Sequence, residues 1–211
     1  NGIVLLFHGY GACKEALLPA AKEFHELGWD ALLVDFHGSG GSAGDTTSVG
    51  WHEAEDVVAA MAEAARLAPG RPRVLYGPSM GAVACLRAVH ALGVQPDAMI
   101  LECPFDRLLT TVRHRFDAMR VPSWPLAELL VFWGGQQSGY DGFAHNPADY
   151  AQAVRCPTLL MHGGRDPRVS VSEVSRVRAA LGEAVQGLRL PRRLGCEPLR
   201  QRDGSLKRRE G

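Results

Sequence analysis

The chain has 211 residues, 46% of them hydrophobic and 22% charged, the make-up of an ordinary globular domain. Lys+Arg and Asp+Glu both number 23, so net charge gives no reason to expect nucleic acid or an anionic membrane as partner. No apolar run is long enough for a transmembrane segment, and the five cysteines (Cys13, Cys85, Cys103, Cys156, Cys196) show neither a disulfide framework nor metal-type spacing.

Ile3–Phe7 is a continuous apolar run that reads as a buried parallel strand. Residues 14–27 have helical periodicity and stop at Gly28, and Ala31–Val34 is the next strand. Residues 48–68 predict a long amphipathic helix with Ser48 as N-cap. Arg73–Tyr76 is a third strand and residues 80–92 a helix, followed by strands at Ala98–Glu102 and Thr158–Met161 and a helix at 171–181. Strands alternating with helices in this way predict an α/β fold, a parallel sheet with helices on both faces. Residues 104–157 are irregular and hold Trp124, Phe132, Trp133, Tyr140 and Phe143, as expected of a lid or cap insertion. Residues 187–193 make a poor buried strand, because arginines and a proline interrupt the apolar run. Residues 191–211 form an aberrant basic tail, with seven basic residues against three acidic ones. The domain proper is therefore 1–190. Any signal or anchor would lie outside this chain, and a cytoplasmic location is favoured.

Three motifs carry chemistry, each at the end of a strand. Gly77-Pro78-Ser79-Met80-Gly81 is G-x-S-x-G between a strand and a helix, which makes Ser79 a nucleophile candidate on a tight turn. In His8-Gly9-Tyr10-Gly11, the Tyr10 backbone N–H can join that of Met80 as an oxyanion hole. In His162-Gly163-Gly164-Arg165-Asp166, Asp166 supplies a carboxylate able to orient a catalytic imidazole, although it also has the chemistry of an N-cap for the helix that follows. Asp106 is a second candidate acid.

HGYGA, DFHGSGGS, GPSMGA and HGGRDPRV, in this order, resemble the α/β-hydrolase superfamily, in particular bacterial serine hydrolases of the serine-aminopeptidase/lysophospholipase-like type. The resemblance covers residues 3–182. It implies an eight-stranded sheet, Ser79 as nucleophile, Asp166 as acid and a lid after the family's sixth strand. The first strand here then corresponds to the family's third, as in a fragment lacking the opening antiparallel pair. The sequence departs from the family pattern in two places. Asp35-Phe36-His37-Gly38 stands where the family often has Asp-x-Arg-Gly, a tolerable change in a structural loop. All eight histidines precede Asp166, and Cys196 stands where the family places its catalytic histidine.

The expected function is a serine hydrolase acting on an ester, thioester or amide, impaired by the missing histidine. The alternatives are an inactive pseudo-hydrolase that binds or scaffolds, or a base supplied by His145 or His114 from the lid. The aromatic insertion suggests a small-molecule substrate with an apolar acyl or aryl group, and no metal or organic cofactor is called for.

Overall fold

The computed structural model describes residues 1–163, 166 and 168–190. In chain order these form β1 (Ile3–Phe7), a 3-10 turn (Lys14–Leu17) running into α1 (Leu18–Glu26), β2 (Asp30–Val34), α2 (Glu53–Leu67), β3 (Arg73–Pro78) and α3 (Met80–Leu92). Then come β4 (Ala98–Glu102), α4 (Leu108–Ala118), α5 (Leu126–Ser138), α6 (Pro147–Ala151), β5 (Thr158–Gly163), α7 (Val171–Leu181) and β6 (Val185–Leu190). The strands make one parallel sheet in the order β2-β1-β3-β4-β5-β6.

β1 shows why the sheet holds. Alternate side chains of a strand face opposite ways, and all five here are buried. Ile3, Leu5 and Phe7 join the core beneath α2, α3 and α7, whereas Val4 and Leu6 meet Leu17 and Ala21 on the other face. Burying a side chain of this kind stabilises by about 1.5–3 kcal/mol, so a strand apolar on both faces belongs in the middle of the sheet. β2 is the end strand, with residues 31–34 only half-buried. Beside it lies an open groove of about 460 Å³ lined by Lys14, Leu32, Val34, Asp35, Ala59 and Glu63, with neither Ser79 nor Asp166 in its walls.

The structure corrects two expectations. α2 begins at Glu53, not at Ser48, because Val49 (φ 58°) and Gly50 (φ 101°) are left-handed and cannot lie in a helix. The Ser48 hydroxyl instead donates to Glu53 Oε2 (2.5 Å) and accepts from His52 N (2.6 Å), while the Glu53 carboxylate gathers Thr47 Oγ1 (2.5 Å), Ser48 N (2.9 Å) and Gly50 N (2.8 Å). Burial pushes the Glu53 carboxyl up, but these bonds outweigh it and hold the group below its usual range. The second correction is β6, which forms despite its poor pattern and pairs with β5 from Thr158↔Val185 to Gly163↔Leu190. Backbone pairing does not need an alternating pattern of side chains. The sheet has six strands among the described residues, all parallel, the eight of the family less the opening antiparallel pair that the sequence lacks. The basic tail at 191–211, Cys196 included, lies outside the described residues.

Residues 104–157 supply α4, α5 and α6. His145 is the buried hub of this segment. Its ring Nδ1 is 3.0 Å from Tyr150 Oη and its Nε2 3.0 Å from Val49 O, with the rings of Trp51, Phe105, Tyr140 and Tyr150 packed about it. Burial drops its pKa to about 4, outweighing the hydrogen bond to Val49. A histidine held neutral in the folded state stabilises fully above its unfolded pKa of about 6.5, and that contribution is lost as pH falls toward 4. Between pH 7 and pH 5 the native protein should lose about 2 kcal/mol through this residue. Urea unfolding of wild type and His145→Gln at both pH values checks this. The variant should show a loss smaller by about that amount, and equal losses would contradict the assignment.

Candidate active site

The site candidates gather at the carboxyl ends of β1, β3 and β5. Ser79 follows β3 and is the N-cap residue of α3, with φ 49° and ψ −112°. A non-glycine residue held there stores about 1–3 kcal/mol of strain, so the surroundings must enforce it. Ser79 N donates to Glu102 O (2.7 Å) and Ser79 O accepts from Val83 N (3.1 Å), pinning the residue between β4 and the first turn of α3. The flanking glycines are sterically required. A Cβ on Gly77 would lie 2.5 Å from Gly81 C, and one on Gly81 would lie 2.2 Å from Phe7 O. The turn is thus a close crossing of β3, α3 and β1. The N-terminus of α3 beneath Ser79 adds a partial positive charge from its unbonded N–H groups, Met80 N–H among them.

The loop after β1 abuts this turn, since a Cβ on Gly9 would sit 3.8 Å from Ser79 Cβ. His8 fixes that loop from beneath. It is fully buried, its Nδ1 lies 2.9 Å from Gly9 O, and its Nε2 accepts from Phe36 N (3.2 Å). A carbonyl on one nitrogen and an N–H on the other require the Nδ1–H tautomer, so His8 is structural. Tyr10 is half-exposed, and the Arg115 guanidinium of α4 lies 5.2 Å from its ring centroid, which brings α4 over this loop. Asp35, after β2, braces the next turn by accepting from Lys14 N (2.7 Å), Lys14 Nζ (2.7 Å) and Gly41 N (3.0 Å). Burial raises its carboxyl, yet these donors outweigh that and hold its pKa at about 2. In the same loop the residues in place of Asp-x-Arg-Gly serve the backbone: His37 N donates to Asp56 Oδ2 (2.9 Å), and Gly38 (φ 74°) leaves no room for a Cβ beside Thr46 O.

Asp166 stands beyond β5. Its Oδ1 accepts from Arg168 N (2.7 Å) and Val169 N (3.1 Å), whereas Oδ2 is buried and has no hydrogen-bond partner among the described residues. It does not cap α7. Ser170 does, in a reciprocal capping box with Glu173, which the S-x-x-E spacing could have announced. Glu173 was missed in the sequence although it is wholly buried, with Thr111 Oγ1 3.3 Å from Oε1 and His114 Nδ1 3.1 Å from Oε2, tying α4 to α7. Asp106 is buried and ion-paired through Oδ2 with Arg176 Nε at 2.5 Å, so its charge is already matched. His145 has both ring nitrogens occupied and His114 faces Glu173, which leaves neither placed as a base for Ser79.

The steric reading of the turn is testable. Gly81→Ala must push α3 off β1 and should cost more than about 2 kcal/mol, as overpacking of a tight contact does. Gly9→Ala meets only ordinary contacts, Pro78 O at 3.5 Å and Ser79 Cβ at 3.8 Å, and should unfold within about 1 kcal/mol of wild type. Chemical denaturation of the two variants decides it, and equal costs would refute the close crossing.

Residues 1–131 match the family model described as Serine aminopeptidase, S33 (Hydrolase_4). Among curated proteins the chain is 31% identical over 177 residues to the uncharacterized protein YqkD of Bacillus subtilis, covering 82% of this chain and 58% of that one. It is 29% identical over 185 residues to the uncharacterized protein Rv2307c of Mycobacterium tuberculosis, covering 85% and 58%. The chain thus spans somewhat over half the length of the curated relatives it matches. Among solved structures, the Pyrococcus furiosus esterase Pf2001 superposes with TM-score 0.72 at 24% identity, covering 89% of this chain and 72% of that one. The Pyrococcus horikoshii acylaminoacyl peptidase superposes with TM-score 0.65 at 19% identity, covering 92% and 33%. No helix among the described residues is long and apolar enough to cross a membrane. The fold is the α/β-hydrolase fold, and the chain belongs to the serine aminopeptidase S33 family of hydrolases.

Proposed function

We propose that this chain carries the site of a serine hydrolase of ester, thioester or amide bonds, laid out for an acyl-enzyme mechanism but impaired because the catalytic histidine is absent from this sequence. The observation that carries the reading is the Ser79 backbone at φ 49°, held between two glycines that cannot bear a side chain at the mouth of α3. In that mechanism Ser79 Oγ attacks the substrate carbonyl as its proton passes to a general base, and the carbonyl oxygen becomes an oxyanion held by the backbone N–H groups of Met80 and Tyr10. Expulsion of the alcohol, thiol or amine leaves the acyl-enzyme, which water then hydrolyses. Asp166 is the acid. Its unpartnered, buried Oδ2 is what a catalytic imidazole would need as an acceptor.

The base this scheme calls for is a histidine after β6, and this sequence has none there. The Gly163↔Leu190 pairing sets Leu190 beside the strand that leads to Asp166, which supports a base supplied from the residues that follow. In this sequence Cys196 occupies the slot the resemblance assigns to that histidine. A neutral thiol is a poor base, and a thiolate would be repelled by Asp166. Because all eight histidines precede Asp166, the second reading is a binding module with little turnover. The substrate acyl or aryl group is apolar and lies under residues 104–157, the lid, where Leu129, Leu130, Phe132 and Trp133 of α5 are exposed.

Two experiments test this. Cys196→His should raise hydrolysis of an activated ester by about 10²–10⁴-fold, the usual worth of general-base assistance, and adding Ser79→Ala should return it to the blank rate. Activity surviving in the double variant would remove Ser79 from its role, while no gain from Cys196→His would refute the slot. In the active variant, kcat/KM should rise from acetyl to hexanoyl esters by up to about fourfold per methylene, the limit set by about 0.8 kcal/mol for each buried CH₂. A flat or falling series would refute the apolar acyl site.

A further inference from the structure

Beside the acid lies a constellation that the serine chemistry does not use. Cys103 follows β4, His162 is in β5 and Asp166 follows β5, and their ligand atoms all lie within 4.8 Å of one another. Cys103 and His162 are 59 residues apart in the chain, so no sequence spacing announces the cluster, and only the parallel pairing of β4 with β5 creates it. We propose that Cys103, His162 and Asp166 form a binding site for a thiophilic divalent cation, for which zinc is the natural occupant. Resting on the hydrolase reading above, the proposal adds that the bound ion occupies the Asp166 oxygen a catalytic imidazole would need, and so inhibits turnover when Cys196→His supplies that imidazole.

The donor set is that of zinc: one thiolate, one imidazole and one carboxylate, leaving a fourth position for water. Bonds of about 2.0–2.3 Å in a tetrahedron set the donors roughly 3.3–3.7 Å apart, so the three groups need to close by about 1 Å. Two of the three are already aimed by one residue. Val169 N donates to Asp166 Oδ1 at 3.1 Å, and Val169 O, 3.0 Å from His162 Nε2, accepts the Nε2–H hydrogen bond. That leaves the lone pair of His162 on Nδ1 and the free oxygen of Asp166 on Oδ2. A metal-binding histidine commonly has its second ring nitrogen held in this way by a backbone carbonyl. Cys103 (φ 46°) is set in a left-handed turn and anchored by its N–H to Met161 O (2.9 Å), which fixes where its side chain begins. Cys103 and His162 are buried at 2% and 7% exposure. Asp166 is half-buried, with its Oδ2 fully enclosed. As the zinc–sulfur bond forms, the thiol proton passes to solvent.

The test uses the whole 211-residue chain. Isothermal titration with zinc chloride should show one ion per chain, and cobalt(II) should give the near-ultraviolet band of sulfur-to-metal charge transfer. Cys103→Ala should abolish that band and weaken zinc by more than about tenfold, and His162→Gln should weaken it as well. Cys13→Ala, Cys156→Ala and Cys196→Ser should bind as wild type. Should Cys103→Ala fail to fold, the cobalt band of Asp166→Asn and of wild type still decides the matter. No cobalt–sulfur band in wild type, or zinc affinity unchanged in Cys103→Ala, would overturn the site. Binding does not involve Ser79, so Ser79→Ala should titrate normally, and the metal site stands or falls apart from the hydrolase reading. In Cys196→His, zinc should inhibit ester hydrolysis at the concentrations at which it binds. Full activity with zinc bound would overturn the competition.

Discussion

Everything at the carboxyl edge of this sheet follows from one steric constraint, the contact of α3 with the ends of β1 and β3. Gly81 rests against Phe7 O so closely that even a methyl group would have to move backbone, and Gly77 stands in the same relation to Gly81. With the helix pressed so tightly onto the strands, the chain turns from β3 into α3 in a single residue, and that residue takes a left-handed, strained backbone. The strain is offset by the packing of β1 and α3, whose residues are among the most buried in the protein. A serine there presents its hydroxyl at the start of a helix, next to the loop after β1. Loosening the contact would relax Ser79 and open the gap between the N–H groups proposed to hold the oxyanion.

The second support is a set of buried carboxylates, each holding a loop by gathering N–H groups. Asp35 binds the turn after β2 to Lys14, Glu53 folds residues 47–50 around itself, and Glu173 closes the capping box of α7. Asp166 belongs to the same class through Oδ1 but differs in its other oxygen, which is buried without a partner among the described residues. An orphaned acceptor carries a desolvation cost of about 1–3 kcal/mol, more if charged, and functional sites are where such costs are tolerated. Whether an imidazole or a metal ion meets that oxygen is the choice on which the proposed regulation turns.

Much of this was legible in the sequence, and the reasons differ by element. The strands of the sheet centre could be read because residues buried on both faces form unbroken apolar runs, as in Ile3–Phe7. α3 and α7 came out with their observed ends, the first because G-x-S-x-G marks its start and the second from its periodicity, although its cap is Ser170 and not Asp166. The start of α2 did not, because its boundary is set by two left-handed residues that hydrophobic periodicity does not register. β6 was underrated for a similar reason: its pairing is a property of the backbone, whereas the sequence shows only its side chains. The lid histidines looked available as bases in the sequence, but His145 proved to be the hydrogen-bonded centre of an aromatic cluster. The Cys103–His162–Asp166 cluster was invisible, since adjacency across two parallel strands leaves no trace in spacing.

The central claim is that Ser79 is the nucleophile, and a covalent trap tests it most directly. Cys196→His protein treated with a fluorophosphonate, digested and sequenced by mass spectrometry should carry a single adduct, on the peptide containing Ser79. An adduct on any other residue, or none in a variant that hydrolyses the ester, would contradict it.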